Sequence, residues 1–92
     1  MLDFSAEWCS SCKELDEITF SDSGVKDKMD EFVLIQADIT QNNQEQKDLS
    51  KKYGVFGPPA ILFFDNNAEV VSSKTIIGFI KPQEFLTHLN SI

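Results

Sequence analysis

Two cysteines, Cys9 and Cys12, constrain this chain more than any other feature, and they are the only cysteines among its 92 residues. A short apolar run of strand-like composition, Met1-Leu2-Asp3-Phe4, lies just before them, and residues of helix-forming composition, Lys13 to Ile18, follow them. Two thiols at this spacing on the first turn of a helix can form a small disulfide and open it again. A helix N-terminus also stabilises a thiolate, because its unpaired N–H groups and its macrodipole favour negative charge. The pattern therefore predicts dithiol–disulfide exchange.

The length and the net charge of the chain limit the number of domains and the classes of partner that we expect. A chain of 92 residues is expected to form a single domain over 1–92, and we expect a monomer. The net charge of −7 argues against nucleic acid and anionic membrane surfaces as partners, since both attract basic proteins. No apolar run approaches the roughly 20 residues of a membrane span. The chain begins almost directly in a strand, so we expect its start to be a boundary within a longer protein.

Zinc binding is the main chemical alternative for the two cysteines. A structural zinc site needs four Cys or His ligands, whereas this chain offers two cysteines and a distant His88. An isolated Cys-x-x-Cys near a β-α-β pattern is more typical of a redox site. We therefore predict no metal and no other cofactor besides the redox-active cysteine pair.

The hydrophobic pattern predicts alternating strands and helices. Predicted strands are Leu2–Ser5, a run over 32–39 that should be buried on both faces, 60–64, and 70–77 as the second arm of a hairpin. Predicted helices are 11–19, a short helix capped by Asp22 or Ser23, a polar helix with an Asn43/Gln46 capping box ending near Lys52, and one with Pro82 in its first turn. A right-handed crossover makes the first two strands parallel, and the hairpin adds antiparallel strands. The expected architecture is α/β, with a mixed central sheet flanked by helices on both faces.

Three segments resemble the thioredoxin superfamily and, more narrowly, the C-terminal periplasmic domains of the DsbD family of thiol:disulfide interchange proteins. They are the active-site stretch 1–15, the segment Thr19-Phe20-Ser21-Asp22 with the later run Leu34 to Thr40, and the stretch Val55 to Asp65. The resemblance implies a thioredoxin fold that lacks the N-terminal strand and helix of the usual domain, and a domain excised from a larger membrane protein.

This resemblance also implies a function. In the family, the domain takes electrons from an upstream transmembrane dithiol domain and passes them to protein disulfides of periplasmic partner domains, including those serving cytochrome c biogenesis. The expected location is the periplasmic side of the inner membrane of a Gram-negative bacterium. Two alternatives stay open: a free-standing thioredoxin-like protein disulfide reductase, and a redox-inactive binding module with the same fold.

Within the motif, position implies that Cys9 is the exposed attacking thiol and Cys12 the resolving one. Ser10 and Ser11 supply neither a charge nor a histidine to stabilise the Cys9 thiolate. Because a stabilised thiolate makes a protein an oxidant, we expect a reducing protein.

Two carboxylates are expected to modulate the thiols. Asp3 falls within an apolar strand, a costly position unless it has a role. Asp16 lies four residues after Cys12 on the same helix face, where the family usually has glutamate. Both could raise the pKa of Cys9 or move a proton for Cys12. The alternatives are an exposed strand end for Asp3 and an ordinary solvated helix face for Asp16.

The expected partner-binding surface consists of Trp8, Phe56, Pro58 and Pro59. In the family, the bond before the proline at position 59 is cis, and that proline faces the disulfide. Pro58 has no N–H to donate, which leaves its carbonyl as the acceptor for a partner backbone. The two prolines could equally form a rigid turn before a strand, and Phe56 could pack in the core instead.

Overall fold

Four strands and four α-helices make up most of the regular structure in the computed structural model, which describes residues 1–92. In chain order they are β1 (Leu2–Ser5), α1 (Ser10–Glu14), α2 (Ser23–Met29), β2 (Ile35–Asp38), α3 (Gln44–Lys52), β3 (Ala60–Leu62), β4 (Ile76–Ile77) and α4 (Pro82–Asn90). A π-helical turn, Leu15–Thr19, continues α1, and a 3-10 turn, Ser72–Lys74, precedes β4. The predicted order of strands and helices is confirmed.

The strands form one mixed sheet in the order β2-β1-β3-β4. β1 and β2 are parallel, and Ser5 lies opposite Asp38 at their carboxyl ends. β3 is antiparallel to β1, and β4 is antiparallel to β3, as predicted. Because the carboxyl ends of β1 and β2 meet at the same edge of the sheet, the loops that follow Ser5 and Asp38 come together there.

Two apolar clusters hold helices against the two faces of the sheet. Successive side chains of a strand point to opposite faces, and in β3 Leu62 belongs to one cluster and Ile61 to the other. The Leu62 cluster contains both cysteines, and Leu49 of α3 and Tyr53, which follows α3, pack against it. The Ile61 cluster contains Phe85 and Leu89 of α4. The predicted placement of helices on both faces is confirmed.

The helix that carries the motif differs slightly from the prediction. It begins at Ser10, one residue before the predicted start at Ser11. It extends to the predicted end, but over Leu15–Thr19 it is π-helical, because the N–H of Phe20 donates to the carbonyl of Leu15 at 2.8 Å. Such one-turn π segments are wider than an α-turn and often lie near functional sites.

The other three helices begin at the residues that the sequence predicted, two with a side-chain cap and one with a proline. Asp22 caps α2, and its Oδ2 accepts from the N–H of Val25 at 3.1 Å. In the capping box of α3, Oδ1 of Asn43 accepts from the N–H of Gln46 at 2.9 Å. Pro82 occupies the first turn of α4, where its missing N–H costs no hydrogen bond.

The prediction that residues 32–39 form a strand buried on both faces is wrong. Only Ile35–Asp38 is a strand, and it pairs on one side alone because β2 is an edge of the sheet. Val33 is 78% exposed, and Leu34 and Ile35 are exposed as well. An apolar run indicates side chains that can be buried, but burial also needs a neighbour, and within residues 1–92 no strand pairs with this edge.

The predicted hairpin arm over 70–77 is only partly correct. β3 ends at Leu62, and one isolated bridge joins Phe64 to Val70 beyond it. The chain then leaves the sheet in the 3-10 turn and returns only for the two residues of β4. The interruption lies at two serines and a lysine, which have no apolar side chain to bury against the sheet.

Candidate active site

Cys9 and Cys12 lie where the chain passes from β1 into α1. The Ala6 carbonyl accepts from the N–H of Cys9 at 3.2 Å, which turns the chain after the strand. Cys9 is the N-cap of α1, and its Sγ accepts from the N–H of Cys12 at 3.1 Å. Sulfur at this position receives a backbone N–H directly and lies at the positive end of the helix dipole, an environment that favours a thiolate.

The two sulfurs are joined in a disulfide, with the Cα atoms 5.3 Å apart. The expectation of an exposed Cys9 is wrong for this oxidised form, since Cys9 is 7% exposed and Cys12 is 5% exposed. The disulfide draws the Cys9 sulfur onto the first turn of the helix, and both residues belong to the apolar cluster around β1. Position on the helix, rather than exposure, distinguishes the two sulfurs.

Thr40, in the loop after β2, fixes the segment that leads into Cys9. Its hydroxyl oxygen accepts from the backbone N–H of Glu7 at 3.0 Å, and its carbonyl accepts from Nε1 of Trp8 at 2.9 Å. Oδ1 of Asp38 accepts from the hydroxyl of Thr40 and from its N–H, and these two bonds lower the pKa of the Asp38 carboxyl below its ordinary value. The sequence analysis did not identify Thr40 or Asp38 as part of the site. The signal that could have found them is their position at the carboxyl end of β2, Asp38 as its last residue and Thr40 just after it, because that end meets the carboxyl end of β1.

Asp3 is a buried carboxylate in the middle of β1. It is only 9% exposed, and its Oδ1 has no hydrogen-bond partner. Burial raises the pKa of Asp3 from 3.8 to about 6, and the negative charge of Asp16 contributes to the rise. The alternative of an exposed strand end is therefore wrong for Asp3. A carboxyl that titrates this close to neutral pH can take up or release a proton during a reaction.

Asp16 lies beside Cys12 on a surface cavity of about 650 Å³. The wall of this cavity also includes the carboxylates of Glu7 and Asp38 and the ammonium group of Lys13. We call it the acidic cavity because three of its side chains are carboxylates. Asp16 itself is exposed, so it lies on a solvated helix face, and that face borders Cys12.

Pro58 and Pro59 are joined by a cis peptide bond, as the resemblance implied. Pro59 is buried, and its carbonyl accepts from the N–H of Gly78 at 2.9 Å. The carbonyl of Pro58 accepts no hydrogen bond within the chain. Since Pro58 also has no N–H, its backbone offers one acceptor and no donor.

Trp8, which directly precedes Cys9, and Phe56 are exposed aromatic side chains. Trp8 is 60% exposed and Phe56 is fully exposed, so the alternative in which Phe56 packs in the core is wrong. Both line a groove of about 570 Å³, together with Pro58. The structure thus brings three of the four predicted partner-binding residues into one groove, while Pro59 lies buried behind it.

Comparison with known proteins identifies the family. A family model described as a thioredoxin-like domain matches residues 1–92. The chain belongs to the thioredoxin-like family. The mixed sheet with helices on both of its faces agrees with this assignment.

The thioredoxin-like domain is also similar to parts of longer proteins. It is 46% identical over 86 residues to the thiol:disulfide interchange protein DsbD of Campylobacter jejuni (strain RM1221), and 43% identical over 91 residues to that of Yersinia pestis (strain Pestoides F). These alignments cover 94% and 99% of this chain but 15% of each relative. In the crystal structure of the reduced C-terminal domain of Neisseria meningitidis DsbD, 76% of the chain superposes on 98% of this one, with a TM-score of 0.85 and 34% identity. No helix of this domain has the length and apolar composition needed to cross a bilayer.

Proposed function

We propose that this thioredoxin-like domain is a thiol–disulfide oxidoreductase that reduces disulfides in partner proteins. The observation that carries the proposal is the bonded Cys9–Cys12 pair at the N-terminus of α1, where the Cys9 sulfur accepts the N–H of Cys12 at 3.1 Å. Such a pair stores two electrons as two thiols and gives them up as one disulfide. Ser10 and Ser11 add no charge that would stabilise the Cys9 thiolate, which favours the reducing direction.

The reaction has two exchange steps. In the reduced domain, the Cys9 thiolate attacks one sulfur of the partner disulfide, so that the partner S–S bond breaks and a Cys9–partner bond forms. The first partner thiolate leaves and takes up a proton. Cys12 then loses its proton and attacks the Cys9 sulfur, which forms the Cys9–Cys12 disulfide and releases the second partner thiolate, protonated in turn. The partner gains two electrons and two protons, which match the protons that Cys9 and Cys12 lose to become thiolates, and the exchange balances without a metal or an organic cofactor.

Asp3 and Asp16 have distinct parts in this proposal. The pKa of Asp3, about 6, leaves most of its carboxyl ionised at neutral pH, so it can act as the base that accepts the proton of Cys12. Asp16 places negative charge beside Cys12 and raises the pKa of Asp3. Negative charge near the pair also opposes the helix dipole at Cys9 and so disfavours an over-stabilised thiolate.

We further propose that the domain relays electrons within a larger protein. In this proposal it receives them from a membrane-embedded dithiol and passes them to partner proteins in the periplasm of a Gram-negative bacterium. The similarity to two proteins named thiol:disulfide interchange protein DsbD supports this assignment.

The proposed activity can be tested with the 92-residue chain and dithiothreitol as the source of electrons. The chain should accelerate the reduction of a protein disulfide, such as those of insulin, measured as new thiols by alkylation and mass spectrometry. Cys9→Ser should abolish the acceleration, whereas Ser10→Ala, a matched change beside it, should keep it. A folded wild-type chain that gives no acceleration would contradict the proposal.

A further inference from the structure

Two cavities, one lined by Cys12 and the other by Trp8, the residue before Cys9, differ in charge. The acidic cavity has three carboxylates and one lysine in its wall. The groove that contains Trp8 and Phe56 has two lysines, Lys47 and Lys51, and no carboxylate. We call this second cavity the lysine groove and define it by Trp8, Lys47, Lys51, Val55, Phe56 and Pro58.

The basic character of the lysine groove contrasts with the rest of the chain. The protein has 15 Asp and Glu against 8 Lys and Arg, so a cavity with only cationic charges is not expected from composition. Lys47 and Lys51 are four residues apart on α3, a spacing that places both on the same face of the helix. Neither forms an ion pair, since the one salt bridge in the structure joins Lys28 to Glu31. Both ammonium groups therefore remain available to an outside carboxylate.

The apolar part of the groove suits a side chain of a docked segment. Trp8 and Phe56 form exposed aromatic walls, and Val55 is buried behind them. The volume of about 570 Å³ lies in the range of sites that enclose small ligands or a few side chains. At the edge of the groove, the free carbonyl of Pro58 can accept a backbone N–H from an extended chain.

We propose that the lysine groove binds the segment flanking a partner's disulfide, and that it selects segments in which an aromatic side chain is followed by carboxylates. The aromatic group lies against Trp8 and Phe56, and the carboxylates lie near Lys47 and Lys51. This inference rests on the proposed function, because the groove has a role only if Cys9 reacts with a partner disulfide.

The test compares three disulfide-linked peptide dimers of the form X-X-Phe-Ala-Cys-Ala-Phe-X-X, where X is Glu, Gln or Lys. Their symmetry makes the result independent of chain direction. The reduced 92-residue chain is mixed with each dimer, and each rate constant is divided by that of dithiothreitol with the same dimer, which removes differences in intrinsic reactivity. At low ionic strength we expect the Glu dimer to react about 3- to 10-fold faster than the Gln dimer, and the Lys dimer to react slowest. In about 0.5 M salt the preference should fall below about twofold.

Two double variants, each of which removes two positive charges, distinguish the effect of the groove lysines from the effect of the overall charge of the protein. Lys47→Gln with Lys51→Gln should remove the preference for Glu over Gln. Lys26→Gln with Lys81→Gln, at exposed positions outside both cavities, should leave it unchanged. Equal normalised rates for the three dimers, or a preference that survives the Lys47/Lys51 change, would overturn the inference while the proposed function stands. Absence of reaction with every dimer would overturn both.

Discussion

Replacing Asp3 with asparagine should stabilise the oxidised protein at neutral pH, and it should slow disulfide exchange by the reduced protein. Asp3 is 9% exposed and its Oδ1 has no hydrogen-bond partner, so ionising this carboxyl in the folded state is costly. Asparagine has nearly the same shape but no charge, and it cannot accept the proton of Cys12. The same substitution therefore removes a destabilising charge and a proposed base.

The magnitude follows from the pKa of Asp3. A rise from 3.8 to about 6 corresponds to about 3 kcal/mol of unfavourable free energy for the ionised carboxyl in the folded protein. The folded state binds a proton more tightly than the unfolded state, so the stability of the wild-type protein falls as the pH rises from about 4 to about 6. Above about pH 6 the full cost is present, and below about pH 4 it is absent. Because the asparagine amide is still a buried polar group, about 3 kcal/mol is an upper bound for the gain.

The assay is urea unfolding of the oxidised wild-type and Asp3→Asn proteins at pH 4 and pH 8. The gain in unfolding free energy of the variant over the wild type should be about 2–3 kcal/mol larger at pH 8 than at pH 4. Asp16→Asn is the matched control, since it removes an exposed carboxylate that makes only the smaller contribution to the Asp3 pKa. A stability difference between wild type and Asp3→Asn that does not change with pH would refute this reasoning. An unchanged exchange rate in Asp3→Asn would separately exclude Asp3 as the base.

Three further predictions follow from the site. Thr40→Val removes the hydroxyl that accepts the Glu7 N–H and donates to Asp38; it should cost about 1 kcal/mol in urea unfolding and raise the pKa of Asp38 in an NMR titration. A glutathione redox titration should place the Cys9–Cys12 couple nearer the about −270 mV of thioredoxin than the about −120 mV of DsbA, and a value near the latter would contradict the reducing direction. Phe56→Ala should change the unfolding free energy by less than about 0.5 kcal/mol, because the side chain is fully exposed. It should nevertheless slow the reduction of a phenylalanine-flanked disulfide by about fivefold, the equivalent of about 1 kcal/mol of lost apolar contact.

Features that depend on neighbouring residues in the chain could be predicted from the sequence. The Cys-x-x-Cys pair at a helix start, the Asp22 cap and the Asn43/Gln46 capping box involve atoms within a few residues of each other. The order of strands also follows, because a β-α-β crossover and a hairpin leave few arrangements. Local chemistry and simple chain topology therefore fixed most of the fold.

Features that depend on distant parts of the chain were predicted less well. The apolar run over 32–39 has the composition of a buried strand, but its exposure is set by the absence of a strand pairing with β2. Thr40 contacts Trp8 across 32 positions in the sequence, and no local pattern marks that pair. The low exposure of Cys9 likewise depends on packing around β1 and on the bond to Cys12.

The division of roles between the two sulfurs can be tested most directly by trapping. Cys12→Ser removes the resolving thiol, so a reduced Cys12→Ser chain mixed with a disulfide peptide should stop at a covalent adduct on Cys9, seen by intact mass and located by digestion. Cys9→Ser under the same conditions should give little or no adduct. Equal adducts on the two variants, or adduct formation only through Cys12, would contradict the assignment of Cys9 as the sulfur that attacks the partner.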